Sequence, residues 1–220
     1  MVFLRVLVTL WFGSGLSRSG HSEQIIQRVA ELQSLTQDFS SPYTQHRWNY
    51  GPDLCRSLAQ AEAAKIGTEN ARAKLAWLAH ELSTLDLPPS LPKAICHGDF
   101  HFSNLLFQGD RFAALLDFDD ANWTFSQFDL VGLIDSWAWP HDAELFNVTQ
   151  ARAIVQEYVR HHPLSGIEQQ SMYDVHKLSI LIDCVWFFGR GEVNDFFEKR
   201  KIDALTKLGR EGFCAELFGP

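Results

Sequence analysis

The sequence predicts an α+β fold that is mainly α-helical, with one β-hairpin at its centre. Apolar residues recur at helical spacing on both sides of the middle of the chain, as in the leucine stripe of residues 75–85. Between residues 94 and 116 the pattern changes to short apolar runs around the turn Gln108-Gly109-Asp110. These two patterns together indicate a helical body built around a hairpin.

The first 21 residues are predicted to be an apolar segment followed by a Gly/Ser loop. Residues 1–12 are nearly all apolar and contain β-branched residues, which favours a buried strand. A secretory signal or a membrane anchor is the alternative, although the run is shorter than the roughly 20 residues that span a bilayer. Residues 15–22 also match the G-x-x-x-x-G-x-S frame of a phosphate-binding loop, with His21 in place of its lysine; a Gly/Ser hinge loop is the plainer interpretation.

Residues 22–220 are predicted to form the helical body. A helix begins near Ser22, and residues 53–86 form one or two helices with a break at Gly67-Thr68, where Thr68 is a cap. After the hairpin, helices are predicted over residues 128–137, 149–161 with Thr149 as cap, 167–188 and 193–208.

Composition narrows the class of protein. The chain has 220 residues with 46% hydrophobic and 21% charged residues, which suits one domain, or one and a half, with a buried core. Its net charge of −8 argues against a general binder of nucleic acid or of anionic membranes, because such binders need a basic face. The four cysteines are widely spaced, which predicts buried free thiols and a cytoplasmic location.

One stretch of the sequence contains the candidate catalytic and metal-binding residues. His97-Gly98-Asp99 is followed five residues later by Asn104 and then, after the hairpin, by Asp117-Phe118-Asp119. A hairpin folds back on itself, so Asn104 and Asp117 are expected to lie close together and to offer oxygen ligands, which Mg²⁺ prefers. Phosphoryl transfer needs such a metal site together with a base near the attacking hydroxyl, and Asp99 is placed to be that base.

This stretch resembles the aminoglycoside phosphotransferase, homoserine kinase and choline kinase superfamily, which has a protein-kinase-like fold. His97–Asn104 matches the pattern H-G-D-x-H-x-x-N, and Leu116–Ala121 looks like the metal loop I-D-F/W-G/D-D-A. The resemblance implies transfer of the γ-phosphoryl group of ATP, with Mg²⁺, to the hydroxyl of a small-molecule substrate. It is specific over residues 95–133 only.

The resemblance also assigns residue roles. Asp99 is the implied catalytic base, and Asn104 and Asp117 are the implied Mg²⁺ and nucleotide ligands. Asp119 replaces the usual glycine, so it is either a further metal carboxylate or an exposed turn residue. His97, His101 and Asp129 are implied to support the loops structurally.

The same resemblance suggests that the chain is a C-lobe whose N-terminal ATP-binding lobe is largely absent. Residues 6–15 look like the hinge strand between the lobes, and Lys65, Lys74 and Lys93 do not look like a nucleotide lysine on a strand. Activity of the chain alone is therefore an open question.

Two other functions are weighed against the phosphotransferase. One is a non-catalytic remnant or regulatory module that keeps the kinase-like body. The other is a metal-dependent hydrolase that uses His97, Asp99 and His101 as ligands, completed by Asp117 or Asp119. A related question concerns five aromatic residues of the later helices, which either line an acceptor pocket or belong to the core: Trp137, Trp139, Trp186, Phe187 and Phe188.

Overall fold

The computed structural model describes residues 20–39, 41–45, 48–100, 102–140, 145–189 and 197–219. The described helices are α1 (His21–Thr36), α2 (Pro52–Ile66), α3 (Glu69–Ser83), α4 (Phe128–Ala138), α5 (Val148–His161), α6 (Gly166–Gly189) and α7 (Phe197–Phe218). The predicted mainly helical fold is confirmed. The apolar segment, most of the Gly/Ser loop and His101 lie outside the described residues.

The ends of helices α2, α3 and α5 can be compared with the predicted caps. Gly67 ends α2 in the left-handed conformation (φ 70°), and the Thr68 hydroxyl accepts a hydrogen bond from the Ala71 amide at 3.2 Å. The predicted break and cap are therefore confirmed. The predicted cap of α5 is wrong: Asn147, not Thr149, accepts from the Gln150 amide at 3.0 Å, because it immediately precedes the helix.

One further boundary differs from the prediction. Helix α1 begins at His21 rather than Ser22, and Gly20 at its N-cap provides no side-chain hydrogen bond. Helix α7 reaches Phe218, but Gly209 inside it has a non-helical backbone (φ 72°, ψ 165°) that separates two helical segments. The predicted helix end at Leu208 coincides with this break.

The strands are β1 (Lys93–Cys96), β2 (Leu105–Gln108), β3 (Arg111–Leu115) and β4 (Asn122–Phe125). Strands β2 and β3 form the predicted hairpin, with Leu105 opposite Leu115. The sequence analysis missed β4, which pairs antiparallel with β1. Strand β4 has only four residues, which is too short for its alternation of polar and apolar residues to stand out in the sequence.

Strand pairing brings two loops to one edge of the molecule. Cys96 at the end of β1 lies opposite Asn122 at the start of β4, so the loop after β1 and the loop before β4 are neighbours. The hairpin joins these two loops, and both of its ends lie at the same edge. The core behind them is built by α4, α5 and α6, in which Leu130, Leu133 and Leu181 are fully buried.

Two further features follow from the described residues. No helix among them is both long enough and apolar enough to cross a bilayer. All four cysteines are free thiols, as predicted, and Cys55, Cys96 and Cys184 are buried.

Candidate active site

Asp129, at the start of α4, holds the loop that follows β1. Its Oδ2 accepts hydrogen bonds from the His97 amide at 2.7 Å and from Gln33 Nε2 at 3.0 Å, and its Oδ1 accepts from the Gly98 amide at 2.9 Å. Burial raises the pKa of Asp129, while these hydrogen bonds act in the opposite direction by stabilising the carboxylate. The loop that carries Asp99 is thus attached to a rigid buried anchor.

Asp99 and Asn104 are joined directly. Asn104 Nδ2 donates to the Asp99 backbone oxygen at 3.0 Å and to Asp99 Oδ2 at 2.9 Å. Asn104 is buried, whereas Asp99 is exposed. The amide nitrogen is therefore committed to Asp99, and the amide oxygen of Asn104 is left for another partner besides the Ser103 hydroxyl at 3.3 Å.

The base of the hairpin brings Asp117 beside this pair. The Leu116 amide donates to the Asn104 backbone oxygen at 2.8 Å, so Asp117 follows the residue that faces Asn104. Asp117 has a left-handed backbone (φ 62°), which is uncommon outside glycine. Its carboxylate is exposed and makes no hydrogen bond or ion pair with another residue that the structure describes.

His97 connects the two loops. The Asp99 amide donates to its Nδ1 at 3.3 Å, so the proton lies on Nε2, which donates to the Leu116 oxygen at 2.8 Å. The buried ring packs edge-on against Phe100 and Phe118, with centroid distances of 5.4 and 4.7 Å. Because both ring nitrogens are engaged, His97 offers no ligand to a metal.

This geometry bears on the hydrolase interpretation, which requires His97 as a ligand. Among the residues that the structure describes, no three His, Cys, Asp or Glu side chains cluster as a metal site would require. His101, the second histidine of that interpretation, is outside the described residues. The arrangement favours a site made of one amide and one carboxylate over a histidine site.

Gly98 is where the loop after β1 meets the acidic loop, residues 116–121, which contains Asp117, Asp119 and Asp120. Its φ is +81°, and a Cβ at this position would lie 2.7 Å from the Asp120 backbone oxygen and 3.1 Å from Tyr50 Cε2. Both the left-handed backbone and the close approach require glycine. The middle residue of the motif is therefore explained by packing.

We expect Gly98→Ala to destabilise the protein more than Gly109→Ala. Gly109 is the matched control, because it also has a left-handed φ (62°) but no atom within 4 Å of an added Cβ. Both variants incur a backbone cost of about 1–2 kcal/mol, and only Gly98→Ala adds a clash with backbone. Urea denaturation measures both, and equal losses of unfolding free energy would contradict the packing role.

A cavity of about 530 Å³ adjoins this edge, between α2, the acidic loop and α6. Its wall includes Trp48, Tyr50, Glu62, Asp119, Asp120 and Trp186, with apolar residues of α2 and α6 between them. Of the five aromatic candidates, Trp186 lines the cavity and is 45% exposed. Trp137, Trp139 and Phe188 are buried in the core, as aromatic residues at helical spacing usually are.

Two residues of this region were missed by the sequence analysis. The pKa of the Tyr50 hydroxyl is raised by burial and by the nearby carboxylate of Asp120, and the neighbouring Trp186 acts in the opposite direction. The pKa of Asp183 on α6 is raised from 3.8 to about 8 by burial, with smaller contributions from neighbouring carboxylates that include Asp99. An aspartate inside the apolar run of residues 178–188 was a signal for Asp183; nothing in the sequence marked Tyr50.

We expect the folded state to become less stable as the pH rises toward 8, through Asp183. An unfolded aspartate ionises near its usual value of 3.8, whereas Asp183 keeps its proton to about pH 8 when folded. Between these values the folded state binds more protons, so the free energy of unfolding falls as the pH rises. Asp183→Asn should therefore be more stable than the wild type at pH 8.5, with a smaller difference at pH 5.

Urea denaturation at the two pH values measures this effect, with the exposed Asp38→Asn as control. The same stability difference at both pH values would contradict the raised pKa.

The fold and the site together define a class of protein. A helical body that carries an H-G-D loop, a hairpin and an exposed acidic loop at one edge is the arrangement of kinase-like phosphotransferases. Comparison with known proteins gives the family. The sequence model of the family described as "Phosphotransferase enzyme family" (APH) matches residues 13–164 of the chain. The chain belongs to this phosphotransferase enzyme family.

Its relatives include several homoserine kinases. The chain is 30% identical over 156 residues to the homoserine kinase of Nitrobacter winogradskyi and 34% identical over 159 residues to that of Rhodopseudomonas palustris strain CGA009. Each match covers 69% of this chain and 46% of the relative. The homoserine kinase of Parvibaculum lavamentivorans is 29% identical over 210 residues, covering 83% of this chain and 60% of the relative. The chain thus spans about half the length of the curated relatives that it matches.

A solved structure supports the fold. The microcompartment-associated aminopropanol kinase superimposes with a TM-score of 0.51 at 15% sequence identity, covering 88% of this chain and 60% of that chain. At this identity the likeness concerns the fold alone. It agrees with the predicted kinase-like body with a central hairpin.

Proposed function

We propose that this chain acts as an ATP- and Mg²⁺-dependent phosphotransferase that transfers the γ-phosphoryl group to a hydroxyl of a small molecule. The observation that carries the proposal is the arrangement at the hairpin base, where Asp99 is hydrogen-bonded to Asn104 and Asp117 follows the residue that pairs with Asn104. The homoserine kinase relatives support this reaction class.

Asp99 is proposed as the catalytic base. Its carboxylate is exposed, and Asn104 Nδ2 holds Oδ2 at 2.9 Å. Fixing one oxygen orients the carboxylate, and the other oxygen is then directed to the hydroxyl of the acceptor. A positioned base accepts the hydroxyl proton as the oxygen attacks phosphorus, while positioning supplies much of the remaining rate enhancement.

Asn104 and Asp117 are proposed as ligands of Mg²⁺ and, through it, of the nucleotide. The donor set fits this ion, since Mg²⁺ takes oxygen ligands and usually only one or two carboxylates. Asn104 and Asp117 are brought together at the hairpin base by the Leu116–Asn104 backbone bond, and neither is paired with a basic group among the described residues. When bound, Mg²⁺ neutralises charge on the phosphate oxygens. Exposed Asp119 is proposed as an additional carboxylate for the ion.

The other predicted residues are proposed to support this site. His97 and Asp129 fix the two loops by their hydrogen bonds, and His101 is proposed to shape the same loop. Residues 22–220 are proposed to form the lobe that carries the site, and residues 1–21 to include the hinge that leads into it.

Formation of a phosphate ester tests the proposal. The full chain is incubated with ATP, Mg²⁺ and a panel of small alcohols, and the products are followed by ³¹P NMR. We expect a new phosphomonoester resonance and equimolar ADP, with neither in the absence of Mg²⁺ or with a deoxy analogue of the acceptor. Release of inorganic phosphate without an ester, or no reaction with any acceptor, would contradict the proposal.

A second candidate is a non-catalytic module that binds a partner through this edge. It is favoured by two apolar residues of the acidic loop, Leu116 and Phe118, which are 42% and 46% exposed. Contiguous exposed apolar patches are typical of surfaces that bind a partner. Absence of the phosphate ester together with intact folding would favour this candidate.

A further inference from the structure

We infer that Asn122 is a positioning residue of the proposed active site, which fixes the end of the acidic loop and couples that loop to Tyr50 on the cavity wall. The inference rests on the proposed function, because that function assigns the acidic loop to Mg²⁺ and the nucleotide. Asn122 is the first residue of β4, directly after the loop, and is 2% exposed. A buried side-chain amide is normally hydrogen-bonded, so its partners show what it holds.

The two halves of the Asn122 amide hold two different segments. Its Nδ2 donates to the Asp120 backbone oxygen at 2.9 Å, and its Oδ1 accepts from the Tyr50 amide at 2.9 Å. Donor and acceptor belong to one planar group, so neither segment can shift alone without breaking a bond. The acidic loop and Tyr50 are thereby joined through one side chain, although 72 positions separate Tyr50 from Asn122 in the sequence.

The acidic loop is attached at both of its ends. At its start, the Leu116 amide donates to the Asn104 backbone oxygen at 2.8 Å. At its end, Asn122 holds the backbone oxygen of Asp120. The proposed metal ligand Asp117 lies between these two attachments, so its position depends on both of them.

The carbonyl group that Asn122 holds lies against the loop that carries the proposed base. A Cβ on Gly98 would be 2.7 Å from the Asp120 oxygen and 3.1 Å from Asn122 Nδ2, and Gly98 directly precedes Asp99. Asn122 therefore fixes the acidic loop relative to Asp99. This distance matters because positioning supplies much of the rate enhancement in phosphoryl transfer, and a displacement of about 1 Å can cost about 10²-fold.

The segment that contains Tyr50 is also bound to β4 by bonds that do not involve Asn122. Asn49 Oδ1 accepts from the Trp123 amide at 2.9 Å, and the Thr124 hydroxyl donates to the Tyr50 oxygen at 2.7 Å. The Tyr50 ring packs against Phe128 with a centroid distance of 5.2 Å. The Thr124 hydroxyl bonds this segment rather than the acidic loop, which makes Thr124 a matched control for Asn122.

Hydrogen exchange tests the inference without any ligand. In the acidic loop the Ala121 amide donates to the Phe118 oxygen at 3.0 Å. Asn122→Ala releases the end of this loop, so the Ala121 amide should exchange at least about fivefold faster, the effect of losing roughly one hydrogen bond. Thr124→Val changes a residue of the same strand that is 1% exposed, and should alter this rate by less than about twofold. Unchanged exchange in Asn122→Ala, or equal acceleration in both variants, would overturn the inference.

Calorimetry with ATP and Mg²⁺ tests the consequence for binding. Asn122→Ala should bind ATP at least about fivefold more weakly than the wild type, whereas Thr124→Val should stay within about twofold. A higher Mg²⁺ concentration should restore ATP affinity in Asn122→Ala, because a loosened loop weakens the ion site without removing a ligand. A merely structural role would weaken binding in both variants, and added Mg²⁺ would not restore it. Equal affinities in the two variants would overturn the inference.

The wild type provides a measurement that needs no variant. Mg²⁺ and ATP bound at the acidic loop should slow exchange of the Tyr50 amide by at least about threefold, because this amide donates to the side chain that holds the loop. The control is the Asp86 amide, which donates to Asp174 Oδ1 at 3.0 Å outside the cavity wall and the two loops. Its exchange should not change. An unchanged rate at Tyr50, with nucleotide bound, would overturn the coupling.

Failure of the inference is distinguishable from failure of the proposed function. If nucleotide binds with Mg²⁺ but the two variants behave alike, the inference fails and the proposed function stands. If Ala121 exchange separates the two variants but no nucleotide binds to the wild type, the proposed function fails while Asn122 still holds the loop.

Discussion

Asp99→Asn is expected to reduce the rate of phosphoryl transfer by about 10²- to 10⁴-fold, the usual contribution of a general base. Asparagine has nearly the same shape, and its Oδ1 still accepts the hydrogen bond that Asn104 Nδ2 donates to Asp99 at 2.9 Å. The loop is therefore preserved while the proton acceptor is lost. Initial rates of ADP formation with an acceptor identified from the panel of small alcohols measure the effect.

Separate measurements of nucleotide affinity and of turnover distinguish the role of Asp99 as a base from a structural role. Nucleotide affinity and unfolding free energy should change little in Asp99→Asn, because the exposed carboxylate anchors no other element in the described part of the chain. Asp38→Asn, a change at an exposed residue after α1, is the matched control and should retain full activity. A variant at Asp99 that keeps more than about a tenth of the rate would rule out this residue as the base.

Asp129→Ala is expected to cause the largest loss of stability, roughly 3 kcal/mol or more, because each unsatisfied buried donor costs about 1–3 kcal/mol. The change leaves three donors without their acceptor: the amides of His97 and Gly98 and the Nε2 group of Gln33. Typical domains have only about 5–15 kcal/mol of net stability, so the loss is a large fraction of the total. Urea denaturation followed by circular dichroism measures it.

Asp129→Asn provides the graded control. Its amide keeps one acceptor oxygen, so its loss should fall between those of the wild type and Asp129→Ala. A loss of less than about 1 kcal/mol in the alanine variant would contradict the role of Asp129 as the anchor of the loop.

Local patterns in the sequence predicted much of the fold. The hairpin was predicted from a turn between apolar runs, and the α2–α3 break from Gly67 followed by Thr68; both are set by residues close in sequence. Strand β4 was missed because it has only four residues and its partner, β1, lies far away in sequence. The predicted helix end at Leu208 coincides with the break at Gly209, whereas the second segment of α7, up to Phe218, was not predicted.

The residues of the candidate site also fall into two groups, those that the sequence predicted and those that tertiary contacts bring together. Asp99, Asn104 and Asp117 lie within one short stretch, so their spacing was enough to propose a shared role. The cavity depends on tertiary contacts instead. Tyr50 is placed by the hydrogen bond from the Thr124 hydroxyl to its backbone oxygen at 2.7 Å and by the bond from its own amide to Asn122 Oδ1 at 2.9 Å. No local pattern predicts contacts across more than 70 residues.

The central claim is that the edge formed by Asn104 and Asp117 binds Mg²⁺ together with ATP. Calorimetric titration of the full chain with ATP, with and without Mg²⁺, tests it most directly. Asp117→Ala removes the proposed carboxylate ligand, and Asp110→Ala removes an exposed aspartate at the opposite end of the same hairpin. We predict Mg²⁺-dependent binding by the wild type and by Asp110→Ala, weakened at least about tenfold in Asp117→Ala. Absence of binding by the wild type, or equal affinity in Asp117→Ala, would contradict the account.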